Sequence, residues 1–240
     1  MSRARSPHMA LGHSRQAHAA ASQSAPGAQS FLPPEHTLPA LRAAVAACHG
    51  CPLYRHATQA VFGEGGTAAR IMMIGEQPGD SEDLAGRPFV GPAGRVLDAG
   101  LATAGIPRDD VYVTNVVKHF KFTRRGKRRI HEKPTQYEVS ACRPWLTSEL
   151  ELVAPAIVVV LGATAAQSLL GRAFRVTKER GVERATALAP HTFATVHPAS
   201  VLRAPDEALR EEARLAFFAD LRAVGECYRR LRDALTGAVA

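Results

Sequence analysis

The residues best equipped for chemistry fall into a cysteine pair and three short polar segments. Cys48 and Cys51 are separated by two residues in CHGC, the bite that lets two thiolates share one metal centre. Zinc and a four-iron cluster both use such pairs, so the pair alone does not choose between them. The first polar segment is dense in carboxylates and turn formers: Glu76, Gln77, Pro78, Gly79, Asp80, Glu82 and Asp83 precede Pro88-Phe89-Val90-Gly91. A plain connecting loop with solvated acids accounts for any one carboxylate. It does not account for Phe89, a lone aromatic between a proline and a glycine-rich helix entry. The second segment runs from Asn115, whose amide holds a donor and an acceptor on one rigid group, through a basic stretch to His131. The third, HPASVLR at 197–203, opens on an imidazole placed by Pro198.

Apolar runs must position these segments. Ile71-Met72-Met73-Ile74, bounded by Gly75, reads as a buried strand. Val111 to Val117 is β-branched and apolar, a second strand ending near Asn115 and Lys118. Ile157 to Leu161 is the clearest buried strand, and Phe193 to Val196 a fourth. Helices are expected at 38–47, 92–104, 137–153, 163–170 and 206–232, the last with Leu209, Leu215, Phe218 and Leu221 on one side. Strands alternating with helices predict an α/β fold: a three-layer αβα sandwich around a mostly parallel four-stranded sheet, in a single domain. Each polar segment follows a strand, so all three should converge at one edge of the sheet. Residues 1–34, rich in Ala, Ser, His, Gln and Pro, read as a disordered basic tail. The domain then spans 35–232, with a flexible C-terminus at 233–240.

The chain has 240 residues, 46% of them apolar, enough for a substantial core. Thirty Lys and Arg against 22 Asp and Glu give a net charge of +8, which favours a polyanionic partner. Eight of those cations lie between Lys118 and Lys133, against one acid, Glu132. Residues 118–134 read as a basic loop, and Phe120 and Phe122 within it favour a phosphate-binding strip over a merely solvated one. No apolar run is long enough to span a bilayer, and the first residues lack the apolar core of a secretory signal. A cytoplasmic location is the expectation, and in a reducing compartment the four cysteines point to metal or plain burial rather than disulfides.

GEQPGDSEDLAGRPFVG at 75–91 resembles the first motif of the iron–sulfur uracil-DNA glycosylases, and GEQPG with KRRIH at 127–131 is similar to their UdgX branch. The resemblance extends from about Ala47 to Val224. It implies a [4Fe-4S] cluster held by Cys48, Cys51, Cys142 and His119, which stands where the family has a cysteine, with Cys227 the alternative fourth ligand. It also implies a base pocket, since an enzyme acting on one base must extrude it and read its edge. Phe89 supplies the stacking face, Asn115 pairs with N3–H and O4 of uracil, and Gly75 and Asp80 complete the substrate set. His197 donates towards O2, where charge grows as the bond breaks. Gln77 is a neutral amide that orients a water without acting as a base, which leaves room for a protein nucleophile.

That nucleophile is His131, with Glu76 orienting its ring or accepting its proton. Lys127, Arg128, Arg129, Ser200 and Arg203 are expected on phosphates, and Leu202 as a wedge in the duplex. The implied activity is excision of uracil followed by a covalent bond from His131 to C1′ of the sugar. A turnover glycosylase is the alternative, and a non-catalytic DNA-binding protein with a structural metal the rival. The implied partner is uracil-containing DNA, single-stranded by preference with duplex the alternative, met by a monomer.

Overall fold

A computed structural model of the chain describes residues 27–237. Its centre is a four-stranded sheet of β1 (Ile71–Gly75), β2 (Val111–Asn115), β5 (Ile157–Leu161) and β6 (His191–Thr195) in the order β2-β1-β5-β6, with every pairing parallel. β1, β2 and β5 are buried along their whole length, as near-continuous Ile, Val and Met runs require when both faces are covered. One face packs on α1 (Leu38–Val45), α4 (Gln136–Val153) and α5 (Ala163–Leu169). The other packs on α3 (Pro92–Ala104) and α8 (Glu207–Gly237). The αβα sandwich and the single domain are therefore as the sequence predicts. Among the described residues, no helix is long and apolar enough to cross a membrane.

The basic stretch 118–134 is not a loop. It folds into an antiparallel hairpin of β3 (Phe122–Arg125) and β4 (Arg128–His131), which pairs Phe122 with His131. Gly126 and Lys127 make the two-residue turn, with Gly126 at φ 59°, as tight hairpin turns demand. The acidic segment after β1 contains a helix, α2 (Asp80–Ala85), and HPASVLR is largely α7 (Pro198–Leu202), which follows the short α6 (Val176–Glu179).

Two further readings need correcting. On α8, Leu209 and Leu215 are exposed; the buried stripe is Phe217, Phe218, Leu221, Val224, Cys227 and Tyr228. The expected tail also ends earlier than 34. Ala28–Phe31 forms a 3-10 helix against α4, with Ala28 buried and Phe31 and Leu32 packed on the core. Residues 1–26 and 238–240 lie outside the described residues, and α8 continues past 233 to Gly237.

Candidate active site and metal centre

β1 sends its chain to one side, to β2, and β5 sends it to the other, to β6. Such a reversal opens a crevice at the carboxyl ends of the strands. A cavity of about 170 Å³ lies there, lined by Glu76, Gln77, Phe89, Asn115, His131, His197 and Arg203, together with Gly79, Glu82, Ala93 and Ala199. β1 delivers Glu76 and Gln77. Asn115 is the last residue of β2, His197 follows β6, and His131 ends β4. The three polar segments do meet.

Backbone geometry shapes the floor. A methyl group at Gly75 would clash with Asn115 Oδ1 and lie 2.9 Å from the Phe89 ring. Phe89 sits at φ 55°, a region that bulky residues avoid unless their surroundings hold them there. The holding groups are visible. A side chain at Gly94 would collide with the Phe89 carbonyl, so the backbone of α3 must be bare at that point. Glu82 Oε1 accepts from Gly91 N at 2.7 Å and Oε2 from Gly79 N at 3.1 Å, bracketing the loop that carries Phe89. Phe89 and His197 lie nearly parallel, with ring centroids 6.1 Å apart.

The polar groups in the cavity differ in how committed they are. His197 Nδ1 accepts from Ala199 N at 3.2 Å, so in the neutral ring Nε2 carries the hydrogen. Burial, aided by Arg203 and His131, lowers the His197 pKa to about 4. Asn115 Oδ1 and Glu76 Oε1 are buried and have no hydrogen-bond partner. A buried polar atom in that state costs roughly 1–3 kcal/mol, which a bound ligand would remove. His131 Nε2 lies 3.4 Å from Glu76 Oε1, close enough for charge attraction but not aligned for a hydrogen bond. Its ring is half exposed and leans on Phe120, with centroids 6.1 Å apart.

Three expected site residues have other partners. Gln77 Nε2 donates to Lys121 O at 3.2 Å and Glu132 O at 3.0 Å, and Oε1 accepts from Lys121 N at 3.1 Å. Both amide hydrogens are therefore occupied, and Gln77 fastens the open end of the hairpin while still lining the cavity. Arg129 is not free for phosphate. It bonds Asp80, Thr58 Oγ1 at 3.2 Å and the fully buried Asp83 at 2.5 Å, and lies over the rings of Phe120 and Phe122. Asp80 consequently belongs to this latch between α2 and β4, outside the cavity.

Lys127 and Arg128 line a separate basic groove with Arg124. Ser200 Oγ donates to His197 O at 2.7 Å, and Leu202 is exposed on α7. Ala93 lies outside the three segments, and within them Gly79, Glu82 and Ala199 carry no role that the sequence assigns. Glu82 had one available signal, its place at the third position of a helix opened by Gly79, where a glutamate reaches back to the cap.

Cys48, Cys51 and Cys142 are free, buried thiols in the core on the α1–α4 face. Each is offered an N–H: Cys48 by Trp145 Nε1 at 3.2 Å, Cys142 by Lys118 N at 3.2 Å, and Cys51 by the backbone of Leu53. Donors aimed at sulfur suit metal-bound thiolates. His119, the residue after Lys118, is buried, and its pKa is lowered to about 4 by burial. Asp83 and His49, the latter within CHGC, lie in electrostatic reach. Cys227 lies in the core on the other face of the sheet, so it cannot complete this group.

Residues 62–222 match the family described as the uracil DNA glycosylase superfamily. A type-4 uracil-DNA glycosylase of Thermotoga maritima is 38% identical over 164 residues, covering 68% of this chain and 82% of that protein. A type-4 enzyme of Pyrobaculum aerophilum is 37% identical, covering 69% and 83%. One of Archaeoglobus fulgidus is 37% identical over 190 residues, covering 76% and 88%. A catalytic-type crevice, a basic hairpin at its rim and a match over most of the domain lead to one statement: this chain belongs to the uracil-DNA glycosylase superfamily.

Proposed function

We propose that the protein excises uracil from DNA and then holds the resulting sugar covalently through His131. The observation that carries this is the shared cavity, in which an imidazole nitrogen and a buried unpartnered carboxylate oxygen face each other at 3.4 Å beside a base-sized slot. In this reading uracil stacks on Phe89, and the Asn115 amide pairs with its N3–H and O4. As the C1′–N1 bond breaks, its electron pair leaves with uracil, and His197 Nε2–H donates to O2, where the charge collects. The cation left at C1′ lies beside Glu76, whose negative charge stabilises it. The His131 Nε2 lone pair then forms the new C1′–N bond, and the imidazolium loses its remaining ring proton to solvent.

Cys48, Cys51, Cys142 and His119 would hold a [4Fe-4S] cluster. Among the described residues these side chains supply no three donor atoms within 4.8 Å of one another. A single tetrahedral zinc needs its donors under about 4 Å apart, whereas a cluster spreads them wider. The cluster's part here is structural: it anchors CHGC and the start of the hairpin segment near the DNA.

Incubation with uracil-containing single-stranded DNA, followed by boiling in detergent, tests the reading. Wild type gives a slower band that survives boiling, and His131→Ser gives free abasic DNA with turnover. The second reading is a turnover glycosylase, in keeping with relatives that are named as type-4 uracil-DNA glycosylases. Abasic DNA alone from wild type would establish it in place of capture.

A further inference from the structure

At the amino end of β6, across the sheet from the cavity, three donors from separate elements converge. Glu183, His191 and Cys227 each place a ligand-type atom within 4.8 Å of the other two. His191 opens β6 and Cys227 lies on α8. Glu183 precedes Arg184, which forms an antiparallel bridge to Thr192 with backbone bonds of 2.8 and 3.0 Å. A strand, a helix and a bridged segment thus fix the three donors in place before any ligand arrives. Neither the fold nor the cavity requires the trio. Cys227 could be any small apolar residue in its core, and His191 is only partly buried.

We propose that Glu183, His191 and Cys227 form a second metal site, which takes a borderline divalent cation such as zinc and clips the segment 180–190 to α8. Thiolate, imidazole and carboxylate are the zinc donors of proteins, and three of them plus a water complete a tetrahedron. Softer or harder ions fit the mixed set less well. Binding the cation through sulfur releases the Cys227 thiol proton to solvent.

Arg230 reaches two of the three donors. This exposed guanidinium donates through Nη2 to both Glu183 oxygens at 3.0 Å and to Cys227 Sγ at 3.5 Å. His191 Nδ1 lies 2.6 Å from Glu183 Oε1. A cation already bonded to two of the three donors marks where positive charge is stable. It also has to swing away when the metal enters.

The experiment uses the full-length protein as purified, with zinc chloride added and excess removed by gel filtration. Zinc and iron are counted, and the zinc is examined by X-ray absorption. Wild type should retain about one zinc per chain with one sulfur neighbour near 2.3 Å, and its iron content should not change. His191→Gln and Glu183→Gln, both at partly or fully exposed positions, should lose that zinc while remaining folded. Arg230→Gln should tighten zinc binding about fivefold, because an exposed ion pair no longer competes for Glu183. Zinc retained equally by wild type and His191→Gln would overturn the site. So would zinc with three or four sulfur neighbours and iron lost, which would place it among Cys48, Cys51 and Cys142.

Discussion

Gly75 shapes the pocket by having no side chain. Its hydrogen leaves the gap in which the Asn115 amide and the Phe89 ring meet, and that gap is the floor of the cavity. Gly75→Ala should therefore fold, with β1 and its pairing intact, yet lose uracil excision by about a hundredfold or more, because a misplacement of 1 Å at a reacting centre has that cost. Activity on uracil DNA beside a thermal melt checks it; full activity would remove the floor from the argument. His197 makes a second case. Its folded pKa, about 4, lies below the ordinary 6.5, so between those values the unfolded chain binds more protons than the folded one. The stability this group contributes is complete above pH 6.5 and is lost as pH falls through 4. His197→Ala should abolish that part of the acid sensitivity, read from denaturant melts at pH 4.5 and 7. It should also slow base release by a factor of about ten to a thousand.

At the scale of elements, the hairpin is the part the rest of the fold has to hold. Gln77 fastens its open end, and Arg129 latches its second strand to α2 through Asp80 and Asp83. Its cations accordingly divide into two kinds. Lys127 and Arg128 sit at and beside the turn, exposed and free for phosphate. Each one replaced by Ala should reduce the salt slope of DNA binding by about one. Arg129→Ala should leave that slope near its wild-type value and instead lower the yield of the boiled-stable adduct, because His131 is no longer held over the cavity. Titrations at several salt concentrations, run beside the gel assay, separate the two; a slope change in Arg129→Ala equal to that of Arg128→Ala would overturn the latch.

This division was not legible in the sequence, where KRRIH shows only charge. The strands were legible, because Ile157–Leu161 and its neighbours are apolar on both faces and only a buried parallel sheet suits them. The hairpin strands have no apolar stripe; their order comes from a two-residue turn and from carboxylates more than forty residues away. For the same reason nothing in the sequence announces α2, since Glu82 and Asp83 look solvated until their partners are known. On α8, Leu209 and Leu215 keep helical spacing with Phe218 and Leu221, but they lie where the helix has no neighbour to cover them.

At the scale of the molecule, one buried ion pair ties the sheet, α4 and the cysteine centre together. Lys118 and Glu149 are both fully buried, with Nζ and Oε2 2.5 Å apart. Glu149 also accepts from Tyr112 Oη at 3.0 Å, Thr114 Oγ1 at 2.9 and 3.0 Å, and Gly63 N at 2.9 Å. Lys118 Nζ further donates to Thr114 Oγ1 at 2.6 Å and Asn115 O at 2.9 Å, while its own backbone N–H serves Cys142. The network therefore runs from the strand end that carries Asn115 to the buried thiol of Cys142. Desolvating two charges offsets much of their attraction, so such a pair adds little net stability. Removing one partner is another matter, because it leaves the other charge buried and uncompensated. Glu149→Ala should cost about 3–5 kcal/mol, and replacing Lys118 and Glu149 together with Met and Leu should recover most of it. Because Asn115 and Cys142 share the network, the single variant should also lose iron and uracil activity more steeply than its melt alone accounts for. Urea denaturation, iron content and excision rate measured on the three proteins decide it. If Glu149→Ala melts within ~1 kcal/mol of wild type, or if the double variant is worse than the single, the pair is not what joins these two sites.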